Sequence, residues 1–353
     1  MEGKIDSELL LALDVPEKER IKTDDLNVGY SDGVWELIVR YSHNIVTEVT
    51  ELNGSIKELL GGYGLVRIPR ENIDRLAETD GVLFIEKPRS LQYELLYSKI
   101  ISCMEPDVNK SGNGGEGVYV AVIDSGIDYF HPDFIVDGKT RIAVIYDEVT
   151  GRVYSREDID NAIAENNRYL IMDKSGHGTS VAGVAAGNNG VAYKSDIIVV
   201  KLGEDNFFST ARLMEGVDFA LKFAMENNRP IAINISIGNN YGAHDGTSLF
   251  ETYIDYVTEI WKNNVIVGAG NEADKRIHTV VKLNDRSEMC EFIVGNYEES
   301  IAIQIWKRYW DDFYIEIENP SGERYAVPKG EGIYEFKSSD EFIYVYVGTA
   351  TPY

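Results

Sequence analysis

Cysteine is scarce: Cys103 and Cys290 are the only two in 353 residues. Two cysteines cannot build a disulfide framework, and their spacing is not that of a metal site, so both read as free, partly buried thiols in a reducing compartment. Positive charge is short as well. Lysine and arginine number 34 against 59 aspartates and glutamates, a net charge of −25. That balance argues against nucleic acid or an anionic membrane as partner, since both need a basic surface; the plain reading of the acidity is solubility. No apolar run reaches the roughly 18 residues of a membrane span. The N-terminus, MEGKIDSELLLALDVPEKER, has an apolar patch over residues 9–13, but acidic residues precede it and a basic leader is missing. It does not read as a secretory signal, and a cytoplasmic location follows as the expectation.

Apolar residues make up 44% of the chain and aromatics 11%, enough for one large domain and one or two small ones. Residues 1–30 are polar, with one weakly helical stretch. Residues 33–87 then alternate compactly: GVWELIVRYS (33–42) reads as a strand, ELNGSIKELL (51–60) as a helix, GGYGLVRIP (61–69) as a strand, RENIDRLAET (70–79) as a helix and GVLFIEK (81–87) as a strand. This is the pattern of a small α+β module. From about 117 to 283 long apolar strands alternate with amphipathic helices. VYVAVID (118–124), DIIVVKL (196–202), IAINIS (231–236) and VIVGAG (265–270) are near-continuous apolar runs, as parallel strands covered on both faces require. Helical spacing links Leu213, Val217, Ala220, Leu221 and Ala224, and again Leu249, Tyr253, Val257, Ile260 and Trp261. Together these predict a doubly wound parallel sheet. Beyond 284 the segments CEFIVGN, SIAIQIWKRY, DDFYIEIEN, RYAVP, GIYEFKS and EFIYVYVGTATPY are short, aromatic and β-branched, predicting an antiparallel β region.

In a doubly wound sheet the chemistry sits at the carboxyl ends of the strands. Asp124 ends the first strand, Ser236, Ile237 and Gly238 end the third, and Asn271 follows the fourth in GAGNEA. His177 opens a helix crowded with Gly178, Thr179, Ala182, Gly183, Ala185 and Ala186, small residues that let a backbone pass close to something else. Each signal alone has an ordinary explanation, since an Asp after a strand caps turns and an Asn after glycine tolerates a left-handed turn. In combination, an acid, an imidazole and an amide at one sheet edge match the needs of acyl transfer.

On these residues the chain resembles the subtilisin-like serine peptidases. VAVIDSGIDYFHPDF (120–134) is similar to that family's Asp motif and SGHGTSVAGVAAG (175–187) to its His motif. GVAYKSDIIVVKL continues in the family manner with Tyr193 where proline is usual, NISIG supplies the S-x-G strand end, and GAGNEA the oxyanion asparagine. The resemblance covers roughly 117–283. It implies Asp124 as orienting acid, His177 as general base, Asn271 as oxyanion donor, and Ser236–Gly238 as the backbone edge for an extended polypeptide substrate.

The family keeps its nucleophile after the oxyanion asparagine, in G-T-S-M-A-[ST]-P. Gly246-Thr247-Ser248 comes before Asn271, and Gly348-Thr349-Ala350-Thr351-Pro352 has no serine, so neither reads as the nucleophile. The expectation is a truncated, inactive endopeptidase whose β region is an insertion ahead of the serine; the alternative is a pseudoprotease that binds peptides or regulates a partner. The arrangement resembles the clostridial spore-germination subtilases, with a prodomain in front and a jelly-roll insertion, which adds a spore-associated location to the expectation. The expected divisions are 1–97, a prodomain-like module with a polar extension; 98–283, an incomplete catalytic α/β domain; and 284–353, a partial jelly-roll-like region. The resemblance also implies that the prodomain tail, IEKPRSLQYELLYSKI, lies in the cleft like product, with self-cleavage near Gln92 to Ser98. No cofactor is indicated. The acidic segment DEVTGRVYSREDIDN (147–161) reads as a solvated loop, with calcium left open.

Overall fold

The computed structural model describes residues 3–93, 114–203, 208–272, 275–283, 286–295, 298, 300–308, 310–338 and 341–348. The chain divides into two compact units: residues 1–89, 241–249 and 280–353, and residues 90–240 and 250–279.

In the first unit, a five-stranded antiparallel sheet is built on Val34–Tyr41, which pairs with Tyr63–Pro69 on one side and with Tyr30–Ser31 and Val82–Glu86 on the other. Trp35, Leu37, Val39 and Tyr41 alternate inward along it. With Leu9, Val49, Val66, Ile68, Ile73 and Leu76 they form one core cluster. The helix expected over 51–60 is not there. Helix Val46–Glu51 ends at its first residue, and Ser55–Leu59 is a strand pairing with Tyr63–Arg67. The Asn53–Gly54 pair decides this. Asn53 takes a left-handed φ of 56°, which ends the helix, and a Cβ on Gly54 would stand 2.9 Å from the Arg67 carbonyl oxygen. Residues 1–30 hold three short helices rather than one, Ser7–Asp14, Glu17–Arg20 and Asp24–Asn27.

Later in the same unit, Ile315–Glu318 pairs with Arg324–Val327 and Gly332–Lys337 with Phe342–Val347, as two antiparallel hairpins. The strands expected at CEFIVGN and SIAIQIWKRY do not form among the described residues. Phe292, Ile293, Ile301, Ile303 and Ile305 stand exposed there, because alternation makes a strand only where a second edge accepts its hydrogen bonds. Cys290 is exposed rather than partly buried for the same reason; Cys103 lies outside the described residues.

In the second unit, a six-stranded sheet runs in the order Arg152–Ser155, Ile142–Asp147, Asp196–Lys201, Tyr119–Asp124, Ile231–Ile235, Asn263–Val267. Every pairing is parallel except the edge hairpin Ile142–Asp147 with Arg152–Ser155. Strand Tyr119–Asp124 is buried throughout. Helices His177–Ala186 and Thr210–Glu226 pack against it. Sequence order builds the sheet first to one side of this strand and then to the other, so the switch point falls at Asp124. The acidic segment 147–161 is not a loop: it runs from the hairpin into helix Arg156–Ala164, whose capping box joins Ser155 and Asp158. Among the described residues no helix is long and apolar enough to cross a membrane.

Candidate active site

Val120 to Ile123 are apolar and buried, and the strand delivers Asp124, wholly buried, to the C-terminal edge of the sheet. His177 is the first residue of helix His177–Ala186. The chain enters that helix through Gly176 at φ 74°, a backbone shape that strains any side-chain-bearing residue. His177 Nδ1 lies 2.8 Å from Asp124 Oδ1. An ionised carboxylate only accepts, so Nδ1 carries the proton and Nε2 is the ring's basic nitrogen. Asp124 Oδ1 also accepts the Ser125 N–H at 2.7 Å, while Oδ2 is buried with no hydrogen-bond partner among the described residues. A buried carboxylate so sparsely solvated favours positive charge on its neighbour. A proton arriving at Nε2 is stabilised through the ring.

The small residues around His177 have a specific cause. A Cβ on Gly178 would meet the Gly126 carbonyl oxygen at 2.3 Å and the Asp124 Cβ at 3.2 Å. The helix start and the strand end approach backbone to backbone, and that approach brings imidazole to carboxylate. Further along, a Cβ on Gly187 would lie 2.1 Å from Asp133 Oδ2. The helix is half-buried: Val181, Ala182 and Ala186 face the core and Ser180 is exposed.

Three groups that sequence reasoning missed surround the pair. The Ser125 hydroxyl donates to Asp173 Oδ1 at 2.7 Å and accepts the Gly178 N–H at 2.9 Å. Asp173 also accepts from the N–H of Gly176 and from the N–H and hydroxyl of Thr179. Burial pushes the Asp173 carboxyl up, but hydrogen bonds from Thr179, Ser125 and Gly176 outweigh it and hold the group below the ordinary aspartate range. Lys201, buried at the end of the adjacent strand in register with Asp124, donates to the Met172 carbonyl at 3.1 Å. The available signal was an Asp four residues ahead of the His, three before the glycine that caps the helix.

Asn271 follows strand Asn263–Val267, the neighbour of Ile231–Ile235, at the same sheet edge. Its side chain is exposed, and no hydrogen bond joins it to Asp124 or His177 among the described residues. Ser236 is buried at the end of Ile231–Ile235, its hydroxyl accepting from Asn234 Nδ2 at 2.9 Å. Ile237 and Gly238 pair antiparallel with Tyr93 and Gln92. On its other side the same segment pairs Leu91 with Phe208 and Ser90 with Ser209, so Ser90–Tyr93 is the middle of a three-stranded sheet. Leu91 is buried there, and Asn239 Nδ2 donates to the Ser90 carbonyl at 3.0 Å. Of the expected cleavage region, residues 94–98 lie outside the described residues. Ser248 immediately precedes helix Leu249–Ile260, and residues 349–352 lie outside the described residues.

The chain also matches known families and proteins. The profile described as the subtilase family matches residues 115–316, and that of the Csp protease B prodomain matches residues 3–89. Among solved structures the chain is similar to the CspB protease of Clostridium perfringens, at 33% identity and a TM-score of 0.62, covering 70% of this chain and 57% of that one. It is 29% identical to the intracellular serine protease of Paenibacillus polymyxa over 62% of this chain and 58% of that protein. It is 28% identical to alkaline protease 1 of Aspergillus oryzae over 45% of this chain and 34% of that one. The chain thus spans between about a third and three-fifths of the length of these relatives.

Proposed function

The chain belongs to the subtilase family, and on that footing we propose that it carries the acid–base machinery of a serine endopeptidase. The observation that carries this reading is the 2.8 Å bond between His177 Nδ1 and the buried Asp124. Asp124 holds the imidazole in one tautomer, and His177 Nε2 takes the proton of an attacking hydroxyl and returns it to the leaving amine. Asn271, at the same sheet edge, donates to the oxyanion. Ser236–Gly238 aligns an extended polypeptide substrate through backbone hydrogen bonds, as in strand addition. The pairing of Gln92 and Tyr93 with this edge supports a second part of the reading, that the tail of the chain's own N-terminal module occupies the cleft as product would.

Residues 1–353 contain no Gly-Thr-Ser-Met-Ala run. A polypeptide of this sequence alone is therefore proposed to lack turnover, because without the nucleophile only weak residual catalysis survives. A fluorescent phosphonate that labels serine hydrolases tests this directly. The purified polypeptide is expected to stay unlabelled, and labelling at any of its serines would overturn that part of the reading. The pair itself is tested by imidazole NMR. A low-field Nδ1 proton on His177 that vanishes in Asp124→Asn is expected, and its absence from the unsubstituted protein would sink the assignment.

A further inference from the structure

Ser125 and Asp173 take no part in the scheme above, yet each sits beside a segment that carries it. Residues 124–126 leave the central strand, and residues 177–179 begin the helix. Two hydrogen bonds cross between them like rungs: His177 Nδ1 to Asp124 Oδ1 at 2.8 Å and Gly178 N–H to Ser125 Oγ at 2.9 Å. A serine hydroxyl has one proton to give. Here it goes to Asp173 Oδ1 at 2.7 Å, which turns the oxygen's lone pairs toward Gly178. The Asp173 carboxylate then takes the N–H of Gly176 at 2.9 Å, the N–H of Thr179 at 2.9 Å and the Thr179 hydroxyl at 2.6 Å. The Thr179 oxygen in turn accepts the N–H of Asp128 at 2.9 Å, in the loop that follows Asp124.

An ordinary N-cap satisfies the first N–H groups of its own helix and nothing else. Asp173 stands three residues before the N-cap Gly176, takes the N–H groups of Gly176 and Thr179, and also grips a hydroxyl from the strand end, one residue past Asp124. The backbone on both sides of His177 is tied to the backbone immediately after Asp124, and the ring closes through a carboxylate whose hydrogen bonds outweigh the cost of its burial. We propose that Ser125 and Asp173 are positioning residues that set the length and alignment of the Asp124–His177 hydrogen bond, an inference that rests on the reading of those two as orienting acid and base. Lys201, holding the Met172 carbonyl at 3.1 Å, anchors the segment from which Asp173 projects.

The test uses residues 1–353 with isotope-labelled histidine, reading the imidazole pKa of His177 and its Nδ1 proton by NMR. A carboxylate bonded to Nδ1 stabilises the imidazolium, so a longer bond lowers the pKa. Ser125→Ala changes no charge. It is expected to lower the His177 protonation constant about threefold to tenfold, a shift of about 0.5–1 unit, and to move the Nδ1 proton upfield. Asp173→Asn should shift both in the same direction. Ser155→Ala, which removes the cap of helix Arg156–Ala164 in the same unit, should lower the unfolding midpoint and leave His177 unmoved. If Ser125→Ala does not fold, Asp173→Asn, which preserves side-chain shape, decides. Should Asp124→Asn alter His177 while Ser125→Ala and Asp173→Asn leave it as it was, the positioning role is refuted and the acid–base pair stands. Should Asp124→Asn itself leave His177 unchanged, the pair fails and the positioning role goes with it.

Discussion

Two alanine substitutions in one helix should move stability in opposite directions. Gly178 and Gly183 both lie within His177–Ala186, where alanine is favoured over glycine by about 1 kcal/mol. At Gly183 the added methyl would meet Asp133 Oδ2 at 3.5 Å, an ordinary contact, so the propensity gain should survive as about 0.5–1 kcal/mol of added stability. At Gly178 it would meet the Gly126 carbonyl oxygen at 2.3 Å and the Gly126 nitrogen at 3.1 Å. Carbon and oxygen rest at about 3.3–3.6 Å, so helix and strand end must part by roughly an ångström. Overpacking of that kind costs about 1–3 kcal/mol. The Gly178–Ser125 and His177–Asp124 hydrogen bonds stretch with it, at about 1 kcal/mol each. Against the helix gain, Gly178→Ala should lose about 2–4 kcal/mol. Hydrogen exchange of the amides in Tyr119–Asp124 measures the opening free energy of this unit without interference from the other. The reasoning fails if Gly178→Ala protects those amides as well as Gly183→Ala does, or if its His177 Nδ1 proton keeps the wild-type shift.

Other consequences are simpler to state. Burial pushes Glu86, which accepts the Leu249 N–H at 3.0 Å, up to about 7, with the charge of Arg89 pulling partly back. The folded state therefore binds more protons than the unfolded chain between the ordinary value of 4.5 and about 7. Stability of the first unit should fall as pH rises through that window and level off above it; urea unfolding against pH reads the slope, and Glu86→Gln should reduce it, the buried Glu8, also pushed up, keeping the rest. For Asp173 the sign is reversed. Its carboxyl is held low, so its contribution is present at neutral pH and is lost as acid takes the pH below the ordinary aspartate range, a loss that Asp173→Asn should remove. Ser155→Ala should cost about 1 kcal/mol through its lost cap, read by thermal or urea unfolding. The purified polypeptide should keep its intact mass of 39.6 kDa on storage, and a fragment beginning near Tyr93 made by the protein alone would contradict the proposed lack of turnover.

The central sheet is legible because a strand covered on both faces has little choice of residue. VYVAVID, DIIVVKL and IAINIS are apolar nearly throughout, and each forms the strand its pattern predicts. IAVIYD at 142–147 has the same pattern and forms a strand of the same sheet, but the acids that follow it disguise the hairpin and helix behind. The S-x-x-D spacing of Ser155 and Asp158 was the local mark of that helix. Over 51–60, Leu52, Ile56, Leu59 and Leu60 fit a helical period as well as a strand's, and the left-handed turn at Asn53 settles the matter. For the candidate site, Asp124 and His177 stand out by motif, whereas Ser125 and Asp173 meet across 48 positions of sequence. No local pattern carries a contact of that range.

What places the acid and the base together is the sheet's change of direction rather than either residue's neighbourhood. Asp124 ends the strand at which the winding switches sides, and a switch point leaves the strand's C-terminal end uncovered by the connections on either flank. A helix start fits into that opening only if its first turn is nearly bare, which is why glycine stands at 178 and not merely a small residue. On the far side of the same strand, Ile231–Ile235 runs on to Ser236, Ile237 and Gly238, whose backbone pairs outward with Gln92 and Tyr93. A backbone edge that pairs with Gln92 and Tyr93 and an imidazole held by a buried acid therefore arise from one topological event. A substitution that shifts strand Tyr119–Asp124 along its axis should disturb both together, whereas one confined to the Ile237–Gly238 edge should weaken its pairing with Gln92 and Tyr93 and leave the Asp124–His177 bond as it is.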